Sequence, residues 1–575
     1  MGRKATVRYL AVVTDYDGIL ADEGKPSENA FAAIRRLRAS GRRVILNTGR
    51  RMEELVSLCP NLEVFDCVIA ENGAVFYDPS THREVLLGDP PPTCFIERLK
   101  ALNVQPLEVG RVIVGTWMPH QAAVLQAIQE TGLELQVIFN RAAVMVLPAG
   151  VNKATGMDYA LRRLGLSRHE VVGIGDSEND HSFLARSECA ATVSNAVSSI
   201  LQVAHIVTKA ASGEGFAELA NELINNDLCR VDTQVPQHLL TIGRKPDGST
   251  VSISPYGLNI LIAGPSGTGK STVAAGLVER LIEQEYQLCI VDPEGDYGSL
   301  PDVVTIGHQN HAVTVTEVLA LLENPKITLN VNLLGIPLAD RPQFFGQLFP
   351  SLQATRTRSG HPHWIVLDEA HHMLPGDWAP LGQALPQSLG ETILVTVHPD
   401  HLSPMILKLV DIIIAVGPTP EKTIAKFAGA IGQQVTWPEG LTGSYQHAVV
   451  WFPSQESPPY SIKTIPGTAD RIRHHRKYAE GNMRHRSFFF RGPHGRLNIR
   501  AHNLTIFSQI GEGVDDDTWM YHLRRGDYSH WFRNAVNDSY MADQAEQIEH
   551  RLDLHPAESR RLIRGLIEAR YTLPE

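Results

Sequence analysis

Two aspartates stand two residues apart in LAVVTDYDG, where an apolar run that reads as a buried strand ends at Asp15 and Asp17. Carboxylates at i and i+2 after a strand can divide the labour at phosphorus: one attacks as nucleophile, the other donates and recovers a proton. Three further stretches supply what such chemistry needs. The strand RRVILN runs into TGR, which places the Thr48 hydroxyl to bind a phosphoryl oxygen. Lys153 opens the helical pattern NKATGMDYALRRLGL and offers a charge to neutralise a dianionic phosphate. The strand VVGIG runs into DSENDHSFL, whose Asp176 and Asp180 are oxygen donors for a hard cation such as Mg2+. A lone D-x-D after a strand is more often a solvated turn. Here every member of the set lies at the end of a strand or the start of a helix, where open α/β sheets place their ligands.

A second set lies further along. GPSGTGKS, residues 264–271, fits G-x-x-x-x-G-K-[ST] between the apolar strand LNILIA and the helix STVAAGLVERLIEQ. Gly264, Pro265, Ser266, Gly267, Thr268, Gly269, Lys270, Ser271 and Thr272 are the expected ATP contacts. The backbone N–H groups wrap the phosphates, Lys270 reaches the β- and γ-phosphates, and Ser271 binds Mg2+. WIVLDEAHHML ends another apolar strand at Asp368, the second Mg2+ anchor, and Glu369, a base for the attacking water. His398, after ETILVTV, stands where a sensor would read the γ-phosphate. The letters DEAH also name a helicase class, whose second RecA-like domain carries QRxGRxGR-type strings. None follows residue 452, so Asp368 and Glu369 are read as metal anchor and base.

Such residues need elements to hold them. From residue 7 to about 224, short apolar strands alternate with helical patterns, the βαβ rhythm of a mostly parallel sheet covered by helices. The rhythm returns from about 258 to 452 with LNILIAG, QLCIVD, ITLNVNL, HWIVLDE, ETILVTV and DIIIAVG. The expected organisation is a first α/β domain at 1–224, a linker with a β-hairpin at 225–257, an α/β nucleotide domain at 258–452, and a tail at 453–575. RKPDGST signals the hairpin turn. The tail opens on a proline-rich linker, SQESPPYSIKTIPG, and continues as a small, mainly helical domain. Within it, residues 471–500 hold nine Arg/Lys against one Glu, with a Phe triplet. Basic residues among aromatics suit nucleic acid, but also a segment docked on an acidic domain. Trp519, Trp531 and Phe532 read as core.

At 575 residues the chain exceeds one ordinary core, and 43% hydrophobic with 20% charged residues describe a soluble globular protein. A net charge of -11 argues against a surface that coats nucleic acid everywhere. Six cysteines without a Cys-x-x-Cys pair suit a reducing compartment. No apolar run reaches the ~18 residues that cross a bilayer, so a cytoplasmic protein with no membrane partner is expected.

In order, DYDGIL, Thr48, Lys153 and GDSEND resemble the four motifs of the haloacid dehalogenase superfamily, over roughly residues 7–224. About 100 residues separate Thr48 from Lys153, and ENGA stands at 71–74; both are similar to the Cof-type branch. That resemblance implies a Rossmann-like domain with an α/β cap inserted at about 75–150, acting on small phosphorylated metabolites such as sugar phosphates. It implies Asp15 as the nucleophile forming an aspartyl-phosphate and Asp17 as the general acid/base. Mg2+ would sit on Asp15, the Asp17 carbonyl and Asp176, with Asp180 close behind. Gly49, Arg50, Asn72 and Asn179 are candidate contacts to the phosphosubstrate. The family usually reads DxDGT; Ile19 replaces the threonine here, and slower rather than abolished chemistry is expected.

IVDPEGDY at 290–297 resembles the D-P-x-G-E-Y motif of HerA/FtsK-type ATPases, and the hairpin LLTIGRKPDGSTVSI is similar to theirs, over about 238–452. The strand ITLNVNL between the two Walker segments, with the adjacent Glu369, resembles the ASCE division of RecA-like P-loop ATPases. TVHPDHLSP departs from the family's T-Q-x-P: the glutamine is either replaced or shifted to His398. This resemblance implies ATP with Mg2+ and a homo-oligomeric, hexameric ring with an arginine finger from a neighbour. Arg356 and Arg358 precede the Asp368 strand without marking themselves as that finger.

Three functions compete. The first is a bifunctional hydrolase: a Mg2+-dependent phosphatase coupled to or regulated by a P-loop ATPase. The second is a nucleic-acid motor whose first domain trims phosphorylated ends. The third is a ligand-sensing scaffold with weak phosphatase activity. The acidic net charge favours the first.

Overall fold

The computed structural model describes residues 7–22, 24–229, 239–298, 300–376, 389–441, 447–455, 457–465, 467, 483, 486–536 and 538–568. They form two compact units, one of Met1–Ile290, Thr314–Leu329 and Ala339–Pro466, the other of Val291–Val313, Asn330–Leu338 and Gly467–Glu575.

The first unit begins with an eight-stranded sheet. Its order is Ile206–Val207, Cys189–Thr192, Val171–Ile174, Ala11–Thr14, Arg43–Asn47, Cys67–Ala70, Val75–Asp78, Arg83–Leu86. Six strands are parallel and the last two antiparallel. Central strands are buried on both faces, which is why AVVT and CVIA read as unbroken small and apolar runs. Amphipathic helices Glu28–Ala39, Lys153–Leu164 and Ser212–Asn226 cover the sheet. Thr14 pairs with Ile174 on one side and Leu46 on the other. That register brings Asp15, Thr48 and Asp176 out together beyond the C-terminal ends of three adjacent central strands.

The cap is a four-stranded antiparallel sheet, ordered Leu135–Asn140, Ala143–Pro148, Val114–Trp117, Glu108–Val109. Helices Thr93–Ala101 and Gln121–Thr131 pack on one of its faces through Phe95, Leu99, Val124 and Ala127. Its start needs correction. Val75–Asp78 and Arg83–Leu86 extend the main sheet, so the insertion begins after residue 86 rather than at about 75. Both strands carry ordinary β-formers, and nothing local to them says which sheet they join.

The same unit continues into a second sheet. Parallel strands Ile412–Val416, Asn259–Ala263, Thr392–Thr396 and Trp364–Leu367 lie side by side. Antiparallel strands His447–Trp451, Tyr460–Thr464, Leu240–Arg244 and Thr250–Ile253 extend it beyond Ile412–Val416. Two expectations change. The hairpin at 240–253 is an edge of this sheet, not part of a linker, with Asp247 accepting from Ser249 at its turn. Tyr460–Thr464, inside the stretch read as a proline-rich linker, is also a strand. Pro458 and Pro459 precede it, where a missing N–H breaks no ladder.

The second unit holds helices Leu504–Gly513, Asp516–Arg524, Ser539–Glu549 and Pro556–Glu568, and a two-stranded ribbon, Phe488–Phe490 with Ile499–Ala501. Trp519, Trp531 and Phe532 are core, as expected, together with Phe488, Phe490 and Phe507. Two rings of the Phe triplet are therefore enclosed and offer no face to a base. Residues 471–482 and 484–485 of the basic segment lie outside the described residues. In DPEGDY, buried Asp292 accepts from the N–H groups of Gly295, Asp296 and Tyr297 and from Asn330, so it caps its own turn.

Among the described residues, no helix is long and apolar enough to cross a membrane.

Candidate active sites

Asp15 leaves its strand with its N–H on the Ile174 carbonyl and is only 4% exposed. Lys153 is the first residue of its helix because Asn152 caps the helix N-terminus with bonds to Ala154 and Thr155. Its fully buried ammonium lies 2.8 Å from Asp15 Oδ1 and 2.5 Å from Asp180 Oδ1. Asp180 Oδ2 accepts from the N–H groups of Asp176 and Ser177. Carboxylate oxygens of Asp15, Asp176 and Asp180 all lie within 4.8 Å of one another. One ammonium thus faces three buried carboxylates. Burial and the Asp180 charge hold the Asp15 carboxyl well above its usual range, and the same causes push Asp176 up to about 6. Burial alone would lower Lys153, but Asp15 and Asp180 outweigh it and keep the ammonium charged.

A hard cation fits here. All donors are oxygen, and Asp176 Oδ1 is buried with no hydrogen-bond partner. The turn is shaped to match. Gly18 sits at φ +76, and a Cβ there would lie 2.3 Å from Asp176 Oδ2. Ile19 is packed in the core, while Gly18 N–H to Ala21 O and Leu20 N–H to Tyr16 O close the turn by backbone alone. The turn therefore holds its shape without the family's threonine hydroxyl.

The sign of the carboxyl shifts gives a prediction for the metal-free protein. Both carboxyls are raised above the unfolded value of about 3.9, so their contribution to stability is present below that pH and lost as pH rises, through about 6 for Asp176. Thermal melts in EDTA should fall from pH 5 to pH 7, and Mg2+ at pH 7 should restore the loss. Melts that are flat across this window in EDTA would show that burial and the Asp180 charge do not raise these carboxyls.

Other expected residues gather around this cluster. Asp17 is gripped by Arg50, with Nε and Nη2 at 2.7 and 2.6 Å from its two oxygens. Thr48 Oγ1 accepts from the Arg50 N–H, and the Thr48 carbonyl from the Asn72 N–H. Asn179 donates to Asn72 at 3.0 Å, which leaves Asn179 Oδ1 and Asn72 Nδ2 buried without partners. Gly49 lies against both amides and Met145 of the cap. Two residues escaped the sequence reading. Arg141, on the cap turn between Asn140 and Ala143, reaches Asp176 Oδ2 at 2.9 Å. Glu71, buried at φ +51, accepts from the N–H groups of Arg111, Val112 and Ile113 and so ties the cap to the main domain. A charged residue inside ENGA was the available signal for Glu71; Arg141 had none.

The P-loop follows the buried strand Asn259–Ala263. Gly264 admits no side chain, since a Cβ would lie 2.2 Å from the Val416 carbonyl. Gly267 and Gly269 take positive φ, and Lys270 begins helix Lys270–Glu283 with its ammonium 3.3 Å from the Pro265 carbonyl. Ser266 and Thr272 lie in the same turn and helix start, and Ser271 is buried. Asp368 is buried at the end of Trp364–Leu367 and accepts from the Glu369 N–H. Glu369 adopts φ +40, a conformation that strains a side-chain-bearing residue. Its Oε2 is 3.4 Å from His371 Nδ1, which is 3.1 Å from Thr396 Oγ1. His398 is exposed, with its N–H on Thr396 Oγ1. In the sheet, the strand lying between the P-loop strand and the Asp368 strand is Thr392–Thr396, whereas ITLNVNL lies between the two Walker segments along the chain. Sequence order hides spatial order in a parallel sheet. Arg356 is buried and donates to the carbonyls of Pro362, His363, Leu389, Gly390 and Glu391, so it is not an arginine finger.

The two α/β parts of the first unit are joined by a buried polar contact. His169 bonds Glu188 at 2.7 Å and the Gln284 carbonyl at 2.9 Å, and stacks on Tyr286 at 3.9 Å. Glu170 bonds His363 at 2.7 Å, and Arg8 lies 3.5 Å above the Tyr256 ring. Gly360 is needed for the approach, since a Cβ would meet Glu170 at 2.4 Å.

Residues 12–91 and 123–219 match the haloacid dehalogenase-like hydrolase family, and residues 244–338 match the central domain of helicase HerA. The first region is similar to a phosphoglycolate phosphatase of Natronomonas pharaonis, 31% identical over 225 residues, which is 37% of this chain and 98% of that protein. It is also similar to one of Pyrobaculum islandicum, 28% identical over 232 residues, 38% of this chain and 97% of the relative. A solved haloacid dehalogenase-like hydrolase of Bacteroides thetaiotaomicron aligns with 38% of this chain and 100% of its own at 18% identity, with a TM-score of 0.34.

Proposed function

The chain belongs to the haloacid dehalogenase-like hydrolases, and from that premise we propose that it is a Mg2+-dependent phosphomonoesterase working through an aspartyl-phosphate on Asp15. The observation that carries this reading is the buried Asp15–Lys153–Asp180 chain with Asp176 beside it. Asp15, Asp176 and the Asp17 carbonyl would hold Mg2+, with Asp180 behind them; the ion would supply positive charge to the phosphoryl oxygens. Lys153 neutralises the nucleophile's neighbourhood and the incoming dianion. Asp15 Oδ attacks phosphorus as the ester oxygen leaves. Asp17 gives that oxygen a proton and then takes one from the water that cleaves the acyl phosphate. To do so it must leave Arg50, and a phosphate that competes for the guanidinium releases it. Thr48, Gly49, Asn72 and Asn179 line the phosphoryl side, the two amides with a spare donor and acceptor.

The substrate we propose is a small phosphorylated metabolite. The relatives' names favour phosphoglycolate over the sugar phosphates expected from sequence. Phosphate release from phosphoglycolate, sugar phosphates and nucleic-acid ends, compared side by side with Mg2+, tests this. Turnover of none of them sinks the reading, and preference for nucleic-acid ends replaces the substrate.

We further propose that ATP at Gly264–Thr272 regulates the phosphatase. Supporting this, His169 and Glu170 lead directly into the strand that ends before Asp176, while His363 leads into the strand that ends before Asp368. ATP is expected to change kcat or KM of the native phosphatase and to have no effect on Lys270→Ala. An identical response in both proteins would separate the two engines.

A second reading is a nucleic-acid motor, favoured by the match to HerA. It requires DNA or RNA to raise ATP turnover severalfold with steep salt sensitivity. A hexameric ring belongs to either reading and would appear in light scattering with ATP.

A further inference from the structure

We propose that His398, Asp400 and His401 form a site for a divalent transition metal of the zinc class, at the end of the strand Thr392–Thr396. One ligand atom from each residue lies within 4.8 Å of the others. The spacing arises from a single 3-10 turn, Pro399–His401, which is anchored by buried Pro399. The turn returns His401 beside His398, their rings stacked with centroids 4.6 Å apart. All three residues are exposed, so coordination positions remain for water or a ligand.

The donor set decides the ion. Two imidazoles and one carboxylate suit zinc, cobalt, nickel or iron, whereas the all-oxygen cluster of Asp15, Asp176 and Asp180 suits magnesium. The chain would thus sort two cations by ligand hardness. Lys426, 3.1 Å from Asp400, is the group a metal would displace or share.

Position gives the site a consequence. His398 N–H and His371 both engage Thr396 Oγ1, and His371 lies 3.4 Å from Glu369. A metal on His398 would fix this chain of contacts and so set the orientation of Glu369. The consequence rests on the ATPase reading; metal binding itself does not.

Co2+ titrated into the full chain with saturating Mg2+ is the test. One equivalent should bind with visible d–d absorption and be displaced by Zn2+. His401→Ala and Asp400→Asn should weaken binding at least tenfold, with Mg2+-dependent phosphate release unchanged as the measure of an intact fold. Absence of the band in the native chain, or an equal band in His401→Ala, overturns the site. Zn2+ should also alter ATP turnover of the native chain and not of His401→Ala; unchanged native turnover with metal bound overturns the link to Glu369.

Discussion

Asp15→Asn is expected to lower phosphate release by at least ~10³-fold, with ATP hydrolysis at the P-loop retained. Asparagine keeps the shape but cannot form an acyl phosphate. It also removes one of the three carboxylates that crowd around Lys153, so the variant should be at least as thermally stable as the native protein without metal. The two readouts separate chemistry from folding: activity falls while the melt does not. Parallel loss of phosphatase and ATPase would mean that one centre had been read as two. A variant that still turns over at more than a few per cent of native would remove Asp15 as the nucleophile.

Glu369→Gln is expected to slow ATP hydrolysis by roughly 10²–10⁴-fold while the nucleotide still binds. Glutamine can occupy the same φ +40 backbone but cannot take the water's proton. Asp368 accepts from the backbone N–H of residue 369, a contact the substitution leaves in place. Bound ATP should therefore accumulate, visible as slow release in a filter assay. Unchanged turnover would point to another base, with His371 the nearest alternative.

Much of both centres was legible because their chemistry is local in sequence. A P-loop is eight consecutive residues, and a helix start places Lys270 on it. DYDG and GDSEND likewise carry their own turns. Where the reading missed, the missing information was long-range. Glu71 and Arg111–Ile113 are 40 residues apart and meet only when the cap docks. Arg141 comes to Asp176 from a turn that, in sequence, is simply polar. For the Phe triplet, nucleic-acid stacking and docking both stayed open in the sequence; helices later in the chain enclose Phe488 and Phe490.

The sequence by itself supplied the residue types, carboxylates, a lysine and a glycine-rich loop, and showed that each lies at the end of a strand or the start of a helix. Apolar runs and helix caps act over a few residues, so they can be read in order along the chain. Only the tertiary structure decided which strand lies beside which, where the cap begins, that Arg356 is held by buried carbonyls, and that His169, Glu170 and His363 join the two α/β parts. Those outcomes depend on pairing and burial between segments far apart in sequence.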